Sequence, residues 1–258
     1  MKTLVAGHDC MEWGWVIATW VPYCRFISQR YDRTVIICRE ANQYLYEDFT
    51  DEFIYYDKKG ETDRWLLNGK RIKIPPEIES RFVGASLKEP NQNRCMSKRK
   101  KKYLQYGKLM NDLGYDIVIH ARARKEGQTQ KNWPVAKYTK LIQSFPEARI
   151  CSIGTEKEAR HIPGTNDLRD ICLKNLSYIM RNSKVVLGTS SGPLHLASHC
   201  GTPHVVITST EYRKVIKGTN RHRYEKLWNP FKARVEVIDK YGWNAPTVPV
   251  IRAVKKFV

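Results

Sequence analysis

The sequence predicts a two-domain α/β protein built on parallel sheets, and three observations predict it. The chain opens β-turn-α-β, with an apolar run at residues 3–7, a helical pattern over 12–30 and a second apolar run at 34–40. That order calls for parallel strands joined by a right-handed crossover. A second block, residues 116–208, reads as four strands alternating with three helices on short loops, which describes a doubly wound domain. Between the blocks, residues 85–114 lose the alternation and include the densest basic run, "SKRKKK". The boundary falls there, giving an N-terminal domain over 1–110 and a C-terminal domain over 111–258. A chain of 258 residues is long enough to bury a core in each.

The elements follow in order. In 12–30 the apolar residues Trp13, Val16, Ile17, Trp20, Val21, Phe26 and Ile27 recur at three- and four-residue spacing, a helical period that runs across Pro22. "DEFIYYD" reads as a further strand, and "RIKIPPEIESRF" is interrupted by Pro75 and Pro76. The basic run is expected to open a helix reaching Met110. In the second block, 116–120 is an apolar strand, and a polar loop over 125–132 precedes a helix that starts near Trp133-Pro134 and ends before Pro146. "ARICSIG" is a strand, "DLRDICLKNLSYIMRNS" an amphipathic helix, "KVVLG" a strand, "GPLHLASHCG" a helix closed by Gly201, and "PHVVIT" a strand. The C-terminal "VIRAVKKFV" reads as a helix that returns to the first domain.

Composition narrows the function classes. Lys plus Arg number 45 against 26 Asp plus Glu, a formal net charge of +19. Self-repulsion on that scale fits a polyanionic partner, whether nucleic acid, an anionic membrane surface or a phosphorylated glycan, and it also fits a basic surface that keeps the protein in solution. Seven scattered cysteines with no C-x-x-C pair and no Cys/His cluster at zinc spacing read as reduced thiols, and so as a cytoplasmic protein without a metal centre. No signal-peptide pattern and no transmembrane-length apolar run occurs.

The chemistry concentrates in "GTSSGPLHLASHCGTP", residues 188–203, a strand-to-helix turn of small residues. In open α/β sheets, ligands sit beyond the carboxyl ends of strands, where the next helix presents unpaired N–H groups and its positive end. Small residues let backbone approach a phosphate, and the hydroxyls of Thr189, Ser190 and Ser191 can donate to its oxygens. The same turn also serves simply to pack helix on sheet, and His195 and His199 equally fit core histidines.

The stretch 116–208 resembles the C-terminal domain of the bacterial lipopolysaccharide heptosyltransferases. The matching residues are Ile119-His120-Ala121-Arg122, Lys131-Asn132-Trp133-Pro134, Gly154 with Glu158, and Ser190-Ser191-Gly192-Pro193-Leu194-His195-Leu196-Ala197 with Gly201 and Pro203. The resemblance implies a GT-B glycosyltransferase: two Rossmann-like domains facing across a cleft, with the nucleoside-diphosphate sugar held by the C-terminal one. It implies that Ser191, Gly192 and His195 line the diphosphate and that Lys131 gives it a cation. Thr189, Ser190, Gly154 and Glu158 complete the donor-binding set, and the family's aspartate falls at Ser190. No D-x-D motif is present. A departing diphosphate needs its charge stabilised, so the expectation is a metal-independent site using Lys131, Arg122 or Arg124 and the helix end at Gly192, with no cofactor.

The opening turn "HDCMEWGW" resembles the family's first turn, where an aspartate is the base, and the "E-F-G-W-E" turn of phage and bacterial glycosyltransferase-like proteins. Glu12 is the preferred base and Asp9 the second candidate; Glu12 also fits a helix cap. For the acceptor, Lys98, Arg99, Lys100, Lys101 and Lys102, and then Arg213, Lys214, Lys217, Arg221 and Arg223 interleaved with Tyr212 and Tyr224, suit double-stranded DNA. A phage-type enzyme glycosylating hydroxymethylated pyrimidines is therefore the first expectation, a lipopolysaccharide-core glycosyltransferase the alternative, and a non-catalytic nucleic-acid-binding protein of GT-B fold the third.

Overall fold

The computed structural model describes residues 1–57, 72–91, 100–110, 113–126, 128–212 and 217–258. The chain divides into two units, Met1–Leu104 and Gln105–Val258.

In the first unit β1 (Thr3–Ala6), β2 (Arg33–Cys38), β3 (Glu52–Tyr55) and β4 (Ser86–Lys88) form a parallel sheet in the order β3-β2-β1-β4. Leu4, Val5 and Ala6 of β1 and Val35 to Cys38 of β2 are fully buried, as central parallel strands covered on both faces must be. The helical stretch between β1 and β2 is continuous but not regular. A turn of helix at Trp13–Trp15 passes through a π-turn at Val16–Trp20 into a helix at Val21–Ser28. Pro22 follows the π-turn directly, so the ladder lacks one N–H where the two helical segments join.

The second unit carries a six-stranded parallel sheet of β5 (Ile117–His120), β6 (Ile150–Gly154), β7 (Asn166–Arg169), β8 (Val185–Thr189), β9 (His204–Ile207) and β10 (Val235–Ile238) in the order β10-β9-β8-β5-β6-β7. The order turns back at β5 and β8, as in doubly wound sheets, and the crevice beyond those two strand ends is where such sheets hold ligands.

Two expectations are corrected, at residues 166–169 and 100–110. Asn166–Arg169 is an edge strand, not the start of a helix. Asp167 and Arg169 share one face and pair at 2.6 Å, and Asp170, at φ 58, ends the run, so the helix begins only at Leu173 and ends at Asn182. β10 was not foreseen. Residues 100–110 form no helix, because their backbone groups bond elsewhere: Lys102 N–H donates to Pro22 O at 2.9 Å, Tyr106 N–H to His199 O at 3.1 Å, and Met110 N–H to Asn182 Oδ1 at 2.8 Å. Gly107 sits at φ 75, and a Cβ there would lie 2.4 Å from Ser177 O. The final helix, Thr247–Val254, packs Val250, Ala253 and Val254 into its own unit's core with Trp133, Tyr138 and Leu141.

Candidate functional site

The turn that leaves β8 is built by its neighbours on the sheet. His120 at the end of β5 lies in register with Gly188, and a Cβ on Gly188 would stand 2.8 Å from His120 O, so only glycine permits this pairing. Past Thr189 the chain enters Ser190 and Ser191 and then the helix Gly192–Cys200, which Gly201 closes in a left-handed conformation (φ 73). Ser191 occupies the N-cap position, yet its side chain makes no cap bond. Its Oγ lies 3.0 Å from His120 Nδ1 instead. The Tyr224 hydroxyl completes the turn, accepting the Ser191 N–H at 3.2 Å and donating to Ser190 Oγ at 3.2 Å. With no side-chain cap on the first turn, its N–H groups and the positive helix end are presented beyond the strand ends, which is an arrangement suited to an anion.

The other expected donor residues fall into two groups. Lys131 lies in a 3-10 turn, Thr129–Lys131; it is buried, with Nζ 4.8 Å from the Trp243 ring centroid. His195 is 2 % exposed, stacked on Tyr224 at 4.5 Å and edge-on to Trp228 at 4.7 Å. Burial first, then Arg223, His199, His204 and Lys131, hold His195 well below the usual imidazole range. A depressed pKa favours the neutral ring. The remaining residues are drawn to the β5–β6 side. Arg124 pairs with Glu158 at 3.3 Å, and Arg122 is buried and bridged by its backbone to Ala159. Gly154, at φ 118, leaves room for His120, whose Cδ2 a Cβ would approach to 3.0 Å.

The buried polar atoms with no hydrogen-bond partner among the described residues include Thr189 Oγ1, at the end of β8, and His195 Nδ1, on the helix that follows.

At the matching switch point of the first unit, Gly7 N–H donates to Lys88 O at 3.0 Å. Asp9 is fully buried and accepts from Arg39 N–H (2.9 Å), Asn42 Nδ2 (2.8 Å) and Tyr46 OH (3.1 Å). Burial is the strongest influence on it and raises its pKa, against the lowering by those bonds. A carboxylate held on three sides ties the turn to the segment after β2. Glu12 is half-buried at the N-cap of Trp13–Trp15, where its carbonyl accepts from Trp15 N–H at 2.9 Å and its side chain makes no cap bond.

The basic surface is narrower than the sequence implies. Arg223 is 5 % exposed with its guanidinium 4.5 Å from the Trp228 ring centroid, Tyr224 is fully buried, and Arg221 is ion-paired with Asp239 at 2.8 Å and Glu225 at 2.9 Å. Lys100, Lys102 and Lys217 are exposed and Lys101 is half-buried. Lys98, Arg99, Arg213 and Lys214 lie outside the described residues. Tyr224 is the residue sequence reasoning misplaced: it reads as a base-stacking aromatic and is instead the clasp of the β8 turn. Its signal was the Tyr224–Trp228 spacing of four, one face of a helical turn.

The buried histidines set a pH dependence. Burial, with Arg122 and Arg124, pushes His120 to about 3, and burial pushes His204 to about 4, from 6.5. Each folded pKa is depressed, so between 6.5 and these values the unfolded chain binds protons that the native state refuses. Stability should fall as pH drops through that window, by about 1.4 kcal/mol per pH unit for each histidine involved. Urea unfolding across the window checks this, and His204→Asn should shallow the slope by one proton.

Two α/β units, each with an all-parallel sheet, make this a GT-B fold. Solved structures that share it include a glycosyl transferase family 9 protein from Veillonella parvula (TM-score 0.63, 14 % identity, covering 99 % of this chain and 97 % of that one). They also include the E. coli ADP-heptose lipopolysaccharide heptosyltransferase II (0.60, 15 %, 100 % and 98 %) and E. coli heptosyltransferase WaaC with ADP (0.59, 13 %, 100 % of both chains). No protein-family model matches the sequence, and no curated protein matches it.

Proposed function

We propose that this protein is a nucleotide-sugar glycosyltransferase of the heptosyltransferase type, transferring a sugar from a nucleoside-diphosphate donor to a hydroxyl on an anionic glycolipid. The observation that carries the reading is the uncapped start of helix Gly192–Cys200 at the β5–β8 switch point, with Ser191 turned to His120. The donor diphosphate would meet the Gly192 and Leu194 N–H groups, the Thr189 hydroxyl and Lys131. Glu12 takes the proton from the acceptor hydroxyl, the oxygen bonds to the anomeric carbon, and the carbon–oxygen bond to the diphosphate breaks. The nucleoside diphosphate leaves carrying the electron pair, its charge stabilised by amides and Lys131 without a metal ion.

The glycolipid comes first because the similar solved structures include two heptosyltransferases and because Tyr224, Arg221 and Arg223, central to a DNA surface, are engaged in packing and ion pairs. Double-stranded DNA carrying hydroxymethylated pyrimidines is the second reading, favoured by the +19 charge and the exposed Lys100, Lys102 and Lys217.

Incubation with a panel of nucleotide sugars, followed by mass analysis of lipopolysaccharide-core fragments and of DNA nucleosides, tests both. Slow donor hydrolysis without acceptor excludes a binding-only protein, and DNA binding that ignores salt excludes the second reading. Lys131→Ala should weaken nucleoside-diphosphate binding by about tenfold or more, the loss of a charge-assisted contact. Unchanged affinity by calorimetry would remove Lys131 from the site.

A further inference from the structure

In the second unit β5 to β6 and β8 to β9 step in opposite directions across the strand order. Right-handed crossovers therefore place helix Val135–Ile142 on one face of the sheet and helix Gly192–Cys200 on the other. Helix Thr247–Val254 lies with Val135–Ile142, sharing a core through Tyr138, Leu141, Val250 and Val254. Lys137 locks the two helix starts together. Its Nζ donates to Asn244 O at 3.0 Å, Asn244 Oδ1 at 2.7 Å and Ala245 O at 2.9 Å.

What these starts leave outside is apolar. Val135 is 40 % exposed, Val248 52 % and Tyr241, at the N-cap of the 3-10 turn Gly242–Asn244, 45 %. Ala136 and Pro246 are exposed beside them. Cations follow one turn behind: Lys140 comes four residues after Ala136 and Arg252 four after Val248, about 6 Å along a helix. Lys240 adjoins Tyr241, with Nζ 5.9 Å from its ring centroid. No Asp or Glu occurs in residues 127–146 or 240–258. Lys140, Lys240 and Arg252 are exposed and form no ion pair among the described residues.

Apolar side chains held in front of cations match the layering of an anionic bilayer surface, where phosphates overlie the acyl boundary. Two other occupants fit less well. A second copy would bring the same cations to a self-complementary contact and be repelled. Duplex DNA would satisfy the cations but leave Val135 and Val248 against phosphates.

We propose that the exposed starts of helices Val135–Ile142 and Thr247–Val254 dock the second unit on an anionic lipid surface. Val135, Val248 and Tyr241 enter the headgroup layer, and Lys140, Lys240 and Arg252 meet lipid phosphates. Both helices start at the carboxyl edge of the sheet, as the β8 turn does, so docking brings the donor end toward the membrane that holds a glycolipid acceptor. That consequence rests on the glycosyltransferase reading; the lipid contact rests on this surface alone.

Vesicle sedimentation of the full chain tests it, with phosphatidylglycerol–phosphatidylcholine vesicles beside pure phosphatidylcholine. The protein is expected to sediment with the anionic vesicles only and to be released by salt. Lys240→Gln with Arg252→Gln should weaken that binding by roughly tenfold or more, and Tyr241→Ser with Val248→Ser by a similar factor, while ADP affinity stays at the parent value. All four positions are exposed, so the variants are expected to keep the fold, and urea unfolding checks this. Equal binding of neutral vesicles, no binding of either kind, or unchanged binding in either double variant would overturn the proposal. So would substitutions that weaken duplex DNA binding, or split a dimer in analytical ultracentrifugation, with vesicle binding intact. Anionic-vesicle binding through these residues in a protein that transfers no sugar upholds the surface and overturns the glycosyltransferase reading. Transfer to a soluble core fragment without vesicle binding does the reverse.

Discussion

Glu12→Gln is expected to lower the rate of sugar transfer by about 10²–10⁴-fold, the usual contribution of a positioned general base, with nucleotide-sugar affinity unchanged. The residue earns this role by contrast with its neighbour. Asp9 is fully buried and accepts three hydrogen bonds that tie the turn to the segment after β2. Glu12 is half-buried at its N-cap position, and its side chain makes no cap bond. Glutamine keeps its size and hydrogen bonding while removing its basicity. Single-turnover transfer measured beside donor binding separates the two effects, and full activity in the variant would pass the role to another group. Asp9→Asn, by comparison, should act on folding through the Arg39, Asn42 and Tyr46 contacts.

Gly192→Asp should separate stability from binding in opposite directions. Gly192 opens its helix without a left-handed backbone angle, so its backbone does not itself bar aspartate. A carboxylate in the first turn of a helix favours the dipole and should leave thermal stability equal or raise it by about 0.3–1 kcal/mol. The same carboxylate would stand where the diphosphate is proposed to lie. Two unit charges about 4 Å apart at the effective dielectric of a protein surface repel by about 4 kcal/mol, so nucleotide affinity should fall by roughly a hundredfold or more. A melting curve and a nucleotide titration on one sample decide it. Retained affinity with raised stability would show that the helix end holds no anion.

The turn after β8 was legible because every device that makes it is local: an apolar strand, small residues at the bend, and Gly201 at the left-handed position that stops the helix. The edge strand Asn166–Arg169 was hidden by polar residues whose alternation is satisfied by an Asp167–Arg169 pair rather than by a core. The extended path of 100–110 was hidden because its hydrogen bonds reach Pro22, His199 and Asn182, partners that no local window contains. The same limit applies to the site. Strand and helix placed Ser191 and Gly192, whereas the Tyr224 clasp, the Arg124–Glu158 pair and the inward turn of Arg223 depend on contacts between distant segments. Charge counting treated every arginine as surface, and burial against Trp228 removed one of them.

A crystal structure of the protein with a bound nucleotide sugar tests the central claim most directly. Diphosphate oxygens are expected within hydrogen-bond distance of the Gly192 and Leu194 N–H groups, with Lys131 Nζ and Thr189 Oγ1 turned to them. Diphosphate density away from the β8 turn, or a Gly192–Cys200 helix end left empty in the complex, would contradict the account.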